Sequence, residues 1–490
     1  MQKSLNVFET GTTKLNNWAE ENKIIDLFRL DSTSIWWWMA DFIFSSETFA
    51  NSFKDVLLDK PQKKTPFKLR FADLFFKHRF NHRKKMGKLL NSEFKGKKKI
   101  IFFCSQDWKE GRDRYNYPLL DVHENKADFL LIDIASDYAN FPYKKRVLEK
   151  AKDTNYVHRV LESYYDDWRF DFYYNIMGIR YQKLKQDPNF TINGKDLWSK
   201  IKPQFDAYFK YRLKSQIRNY LAFKNLLNIE KPDMVIYPSE GGVLGNMIFH
   251  LCKESNVPVV SIQHGMIPYT PKNIHATKDF PKPTKLCLWG KAHKDMLVNH
   301  GNYDPEDIII TGNHRYDDFK KENTNTEKRI LWAPHAQNAP EAKKQFDALN
   351  KIAKEQNAIL MIKFHPTADP IINIKKESHI EIYNKEDVID LIKKSSIVVV
   401  VYSGVGLEAM MLDKPVVMIN LPGEEDKVDY AQKGAAYGVY DLKDLALVID
   451  VALTSDHKKE QREKYVEDYC YKLDGKAAER VAEVVKNVSM

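Results

Sequence analysis

Cysteine is scarce, with four residues in 490, at Cys104, Cys252, Cys287 and Cys470. They form no CxxC pair and no spaced framework, which excludes a disulfide scaffold and a zinc-finger site and leaves them as core or incidental thiols. Long apolar runs are missing too. The longest, Ile35–Phe44 (IWWWMADFIF), contains Asp41 and falls well short of the ~20 residues a membrane-spanning helix needs. The opening MQKSLNVFETG has neither the basic start nor the apolar stretch of a secretory signal, so a cytoplasmic protein is expected. What is present is globular: 43% apolar and 29% charged residues, at a length that predicts about two to four domains.

Charge is unevenly placed. Residues 51–100 hold sixteen Lys/Arg against four acids, a net +12, while the whole chain carries +10 and the remainder is therefore nearly neutral. Within that stretch Phe67, Phe71, Leu74 and Phe75 recur at helical spacing among Lys68, Arg70, Lys77 and Arg79. This is the pattern of an amphipathic element on an anionic membrane surface, with a core-packed helix and a nucleic-acid patch as the alternatives. No nucleic-acid module accompanies the charge, so no nucleic-acid partner is expected, and a peripheral place on the inner face of a membrane is.

Beyond residue 95, short apolar runs alternate with helical ones. Lys98–Ser105, Phe129–Ile134, Asp233–Tyr237 and Val257–Ile262 read as strands, and Gly242–Lys253 as a helix. Residues 142–228, aromatic-rich and poor in Gly and Pro, read as a helical insertion. A second set follows Pro281-Lys282-Pro283, with strands at Leu286–Trp289, Ile308–Thr311, Ile330–Ala333, Ile359–Phe364, Ile380–Tyr383, Ile397–Tyr402 and Val416–Ile419. Such alternation builds parallel sheets covered by helices. The expected organisation is an N-terminal helical and basic extension (1–95) and a Rossmann-like domain (96–280) holding the insertion. A proline linker then leads to a second Rossmann-like domain (285–455) and terminal helices (456–490).

Ligands in such sheets bind beyond the carboxyl ends of the strands, so the strand ends carry the candidates. Gln263-His264-Gly265 follows one strand and supplies an imidazole titrating near neutral pH. His365-Pro366 follows another, with Lys363 just before it. Ser403-Gly404-Val405-Gly406 runs into a helix carrying Glu408, and small residues before a helix N-terminus leave backbone N–H groups for a phosphate. Glu240, Asp107, Glu110, His335 and the run Gly312-Asn313-His314-Arg315-Tyr316-Asp317 stand at further strand ends.

The set QHG, GNHRYD, FHP and YSGVGLEAMMLDKPVVMINLP, within about residues 230–425, resembles GT-B glycosyltransferases of bacterial surface polysaccharide. It is closest to the glycerophosphotransferases that use CDP-glycerol and to capsule-type transferases. The HP and Ser/Gly elements are also similar to motifs by which bacterial sialyltransferases hold CMP-activated donors. The resemblance implies two facing Rossmann-like domains, His264 as catalytic base or acid, and His365 steadying the donor diphosphate. It implies Ser403, Gly404 and Gly406 on phosphate and Glu408 on the donor ribose or sugar. The sequence departs from the family where a frequent proline is His314 and where a second serine is Gly404.

These readings predict a metal-independent transferase moving a group from a nucleotide-activated sugar or polyol to a glycan or lipid-linked acceptor, with no cofactor. The departing nucleotide needs charge stabilisation, for which His365, the helix after Gly404, Arg315 and Lys363 are the candidates. The acceptor hydroxyl needs a base, His264, with Glu240 or Asp107 in its place if the histidine only orients. Asp166-Asp167 and Asp317-Asp318 are adjacent acids in ordinary contexts, so no metal site is expected. A nucleotide-sugar 2-epimerase, whose Ser-Gly and helix-glutamate pattern is similar to 403–409, and a non-catalytic glycan-binding protein are the competing readings.

Overall fold

A computed structural model describes residues 15–45, 77, 80–85, 93–104, 108–109, 112–113, 117–123, 125–134, 156–186, 191–192, 195–196, 198–267, 280–319, 327–334, 339–364, 372–375, 377–384, 386–401, 403–421 and 428–488. The first sheet comprises β1 (Ile100–Cys104), β2 (Phe129–Asp133), β3 (Val157–Val160), β4 (Met234–Tyr237), β5 (Val259–Ile262), β6 (Lys285–Leu288) and β7 (Ile308–Ile310). Its order is β3-β2-β1-β4-β5-β6-β7, and every neighbouring pair is parallel. The second sheet comprises β8 (Arg329–Ala333), β9 (Ile359–Lys363), β10 (Ile380–Tyr383), β11 (Ile397–Val400), β12 (Val416–Ile419) and β13 (Tyr437–Val439). It is ordered β10-β9-β8-β11-β12-β13, again all parallel.

Strands such as Ile397–Val400 (IVVV) are apolar at every position because both faces of a parallel sheet are covered. The faces separate cleanly in β1. Ile101 and Phe103 point into a core with Trp36, Trp38, Tyr220 and Phe223, while Ile100, Phe102 and Cys104 point into one with Val481 and Val485. Residues 15–40 are thus part of the first domain's core rather than an appendage, and the tryptophan run contributes Trp36, Trp37 and Trp38 as buried side chains. No helix among the described residues is long and apolar enough to cross a membrane.

Three expectations on organisation change. Lys285–Leu288 and Ile308–Ile310 join the first sheet, not the second, so the crossing between sheets follows residue 311 rather than the prolines at 281 and 283. The prolines sit before an ordinary strand, where Thr284 Oγ1 accepts the Val259 N–H at 2.9 Å. The stretch read as a helical insertion holds the helices Phe170–Gln186 and Leu213–Glu230 and also supplies the edge strand β3. Third, the terminal helices divide. Lys459–Cys470 packs on the second domain, and Ala477–Val488 returns to the first sheet. Asp317 receives that last helix, accepting the N–H groups of Ala477 and Ala478 at 2.9 and 2.7 Å.

The basic segment is mostly outside the described residues, including Phe67, Phe71, Leu74 and Phe75, but its helical piece at 80–85 is informative. Arg83 is buried and its Nε donates to Glu162 Oε1 at 2.7 Å, with Asp133 Oδ2 at 3.4 Å from Nη1. One cation of the +12 stretch is therefore an internal anchor.

Candidate active site

In both sheets the chain order reverses between the two central strands, β1 and β4 in the first and β8 and β11 in the second. Crevices form beyond the carboxyl ends at such switch points. Glu240 follows β4 and Ser403 follows β11, so two of the predicted residues stand at the two switch points.

The loop after β5 is fixed by Gln263, a residue that sequence reading passed over. Its buried side chain accepts the Trp289 N–H at 2.8 Å and donates to the Gly265 carbonyl at 2.8 Å. Its amide nitrogen lies 3.2 Å from His293 Nδ1, and its own carbonyl accepts from Trp289 Nε1 at 3.1 Å. Held in this way, His264 is exposed, its backbone N–H donating to Glu240 Oε2 at 2.8 Å. The Glu240 carboxylate is thereby committed to positioning the histidine loop. Gly265 is not in the left-handed region and a Cβ there meets nothing within 4 Å, so the turn does not demand glycine.

The GNHRYD run leaves β7 and lies across the junction of the two domains. Asn313 Oδ1 accepts the Arg315 N–H at 3.1 Å, closing a short turn. Arg315 Nη1 reaches the His264 carbonyl at 3.5 Å. Tyr316, beside it, is buried in the second domain's core and donates its hydroxyl to Glu408 Oε1 at 2.6 Å. Burial pushes the Glu408 carboxyl above the usual range, opposed by the Tyr316 hydroxyl and the Arg315 charge. Met266 and Trp289, also from the first domain, pack on the same core cluster. The junction is thus apolar beneath and charged at its rim.

The turn before the helix Gly404–Met411 is built from its own residues. Ser403 Oγ accepts the Val405 N–H at 3.2 Å, a serine N-cap. The Ser403 carbonyl accepts the Tyr430 hydroxyl at 2.9 Å. Gly404 is exposed and open, whereas Gly406 is buried with the Tyr430 ring 2.6 Å from where a Cβ would stand. Gly406 therefore serves packing against Tyr430. Lys363 is buried at the end of β9, its Nζ donating to the Asn384 carbonyl at 2.8 Å, and burial lowers its pKa against the pull of Glu386 and Asp387. That amine is a brace between strand ends. Asp107 and His365 lie outside the described residues, as do Glu110 and His335. Among the described residues no cluster of three or more His, Cys, Asp or Glu is arranged to hold a metal ion.

The family model CDP-Glycerol:Poly(glycerophosphate) glycerophosphotransferase matches residues 291–487, from the helix after Trp289 to the helix that returns to the first sheet. Among solved structures, the chain is similar to the glycotransferase of kitacinnamycin at 10% identity, covering 81% of this chain and 100% of that one with a TM-score of 0.52. The fold of the chain is of the GT-B type. The same two-domain fold relates it to the UDP-GlcNAc 2-epimerase of Methanocaldococcus jannaschii, at 12% identity, 80% and 99% coverage and a TM-score of 0.50. No match was found among curated proteins. The Ser403–Glu408 turn and helix, Arg315 and Tyr316 all fall inside the matched stretch, whereas His264 and Glu240 precede it.

Proposed function

We propose that this GT-B enzyme transfers a sugar or a polyol phosphate from a nucleotide-activated donor to a hydroxyl of a surface-polysaccharide or lipid-linked glycan acceptor. The observation that carries the reading is the juxtaposition at the junction. The Ser403-capped helix of the matched domain is tied through Glu408 to Tyr316, next to the Arg315 that reaches the Glu240-braced His264 loop. In this reading the donor phosphates lie on the open backbone of Gly404, where helix N–H groups and the Arg315 guanidinium receive the charge of the departing nucleotide. His264, exposed at the rim of the junction, takes the acceptor proton. His365 belongs to the donor side by its resemblance, and no metal or cofactor is assigned. A membrane-linked acceptor would use the +12 segment of residues 51–100 as its approach.

The test is a thermal-shift panel of CMP, CDP, UDP, GDP and dTDP, followed by turnover with the stabilising donor. A ligand at 100 times its dissociation constant adds about 2.7 kcal/mol to the folded state. The expected result is stabilisation by one nucleotide, lost in Ser403→Ala, and nucleotide release only when acceptor is present. Conversion of a nucleotide sugar without acceptor would make the enzyme an epimerase, and stabilisation by none would remove the donor site.

A further inference from the structure

The helix Phe170–Gln186 lies on the outside of the first domain, far in sequence from the residues of the proposed chemistry. One side is locked down: Tyr173, Met177, Tyr181 and Leu184 are buried, with the Tyr173 hydroxyl on Asp31 at 2.7 Å and the Tyr181 hydroxyl on Asp206 at 2.8 Å. The opposite side carries Phe172 and Ile179, and Trp168 stands just before it, in the same helical register. Their exposures are 68% for Trp168, 62% for Phe172 and 70% for Ile179. Three of the largest exposed apolar side chains among the described residues thus share one face, a ridge interrupted only by Asn175. A soluble surface gains nothing from such a ridge, and contiguous exposed apolar groups mark an interaction face.

The partner is indicated by what the ridge adjoins. The helical piece of the basic segment docks at the turn that leads into this helix. Lys84 Nζ donates to the Tyr165 carbonyl at 2.7 Å, the Phe80 and Tyr165 rings meet edge-on at 5.0 Å, and Arg83 is bound to Glu162. Residues 80–85, the described helical piece of the stretch with sixteen Lys/Arg against four acids, are therefore tethered three residues before Trp168. On the ridge itself, the Arg169 guanidinium lies 4.2 Å over the Trp168 ring, and Lys183 is exposed in the last turn. The acids at this end are Asp166, Asp167 and Asp171, of which Asp166 turns back to accept the Trp168 N–H at 3.2 Å. Aromatic and aliphatic side chains flanked by a strong excess of cations suit the headgroup boundary of an anionic bilayer.

We propose that Trp168, Phe172 and Ile179 insert into the surface of an anionic membrane, with the adjoining basic segment supplying the electrostatic attraction. This extends the proposed membrane-linked acceptor to a specific face of the first domain, but its test needs neither donor nor acceptor. The full chain is floated with phosphatidylglycerol–phosphatidylcholine vesicles and with phosphatidylcholine vesicles alone, beside the variant Trp168→Ser/Phe172→Ser/Ile179→Ser. The wild type is expected on the anionic vesicles only, weakening with salt, and the variant to lose at least about tenfold in partitioning while its melting temperature is unchanged. Equal partitioning of variant and wild type, or equal binding to neutral vesicles, would overturn the proposal. So would self-association of the wild type in lipid-free sedimentation that the variant loses, which would make the ridge an interface between copies. Nucleotide stabilisation is measured on the same variant. Its retention beside lost vesicle binding separates this face from the donor site.

Discussion

Gly404 and Gly406 stand two residues apart on the same first turn, yet the structure gives them opposite consequences on substitution by alanine. At Gly406 the new Cβ falls 2.6 Å from Tyr430 Cε2, 3.2 Å from Cδ2 and 3.4 Å from Cζ. Ordinary carbon contacts are about 3.5–4.0 Å, so the first overlap approaches a full ångström. The ring cannot yield. Tyr430 is fully buried, its hydroxyl is tied to the Ser403 carbonyl, and its ring packs T-shaped with Tyr465 at 5.4 Å between centroids. Overpacking of this kind costs about 1–3 kcal/mol, against which the better helix propensity of alanine returns up to ~1 kcal/mol. Gly406→Ala should therefore lose about 1–2 kcal/mol in urea denaturation. Gly404→Ala meets no atom within 4 Å and has no left-handed backbone to strain. Its stability should stay within about 0.5 kcal/mol of wild type while the donor KM rises several-fold, since the methyl occupies the proposed phosphate approach. In a Tyr430→Leu background the Gly406→Ala penalty should shrink, giving a coupling of about 1 kcal/mol. An equal penalty in both backgrounds would refute the packing argument, and an unchanged donor KM in Gly404→Ala would refute the phosphate assignment.

Two further outcomes follow from buried charge. Arg83→Met should cost about 3–5 kcal/mol in a denaturant titration, because Glu162 and Asp133 are left without their cation; recovery of most of that loss in Arg83→Met/Glu162→Leu would show that the unpaired acid causes it, and no recovery would point to packing instead. His293 is enclosed by Trp289, Tyr469 and Gln263, and burial pushes its pKa down to about 3. The unfolded chain takes up this proton below pH ~6.5 and the folded one does not, so stability is full above that value and falls on acidification towards pH 3, by up to about 1.4 kcal/mol per pH unit. His293→Asn keeps an acceptor for Gln263 and should flatten that acid limb between pH 6.5 and 4.5; an identical slope in both proteins would exclude His293 as its source.

What the sequence makes legible follows from how local each signal is. Strands such as IVVV and VVMI are buried on both faces, so their apolar runs announce them within a residue or two. Ser403 announces a helix start because a serine N-cap acts on its own neighbours. The KLCL run at 285–288 is equally clear as a strand, but nothing in four residues states which sheet it joins. Pairing Leu286 with Ser261 rather than with the second sheet is a long-range choice. The same limit hid the tryptophan run as first-domain core, since three consecutive tryptophans specify burial and not the surface that buries them. Gln263, Tyr316 and Tyr430 escaped for a related reason: each acts on a partner at least 26 residues away, at Trp289, Glu408 and Ser403.

The GNHRYD run shows how these distant partners combine. Asn313 closes the turn, Arg315 reaches the histidine loop, Tyr316 enters the second domain's core to hold Glu408, and Asp317 caps the helix returning from the chain's end. Consecutive side chains thus tie three segments that are otherwise separated by 51 to 161 residues. The chemistry of a charged leaving group offers Arg315 of this motif as a donor contact, and it keeps that role in the proposed function. Its neighbours are occupied with joining the two domains, so the geometry of the proposed donor site depends on the same short segment that sets how the domains meet. Any closure of the two domains around a nucleotide would have to keep the Asp317 cap, which lies wholly on the first-domain side, while adjusting the Tyr316–Glu408 contact, which crosses the junction. The division between fixed frame and adaptable contact therefore falls between two adjacent residues.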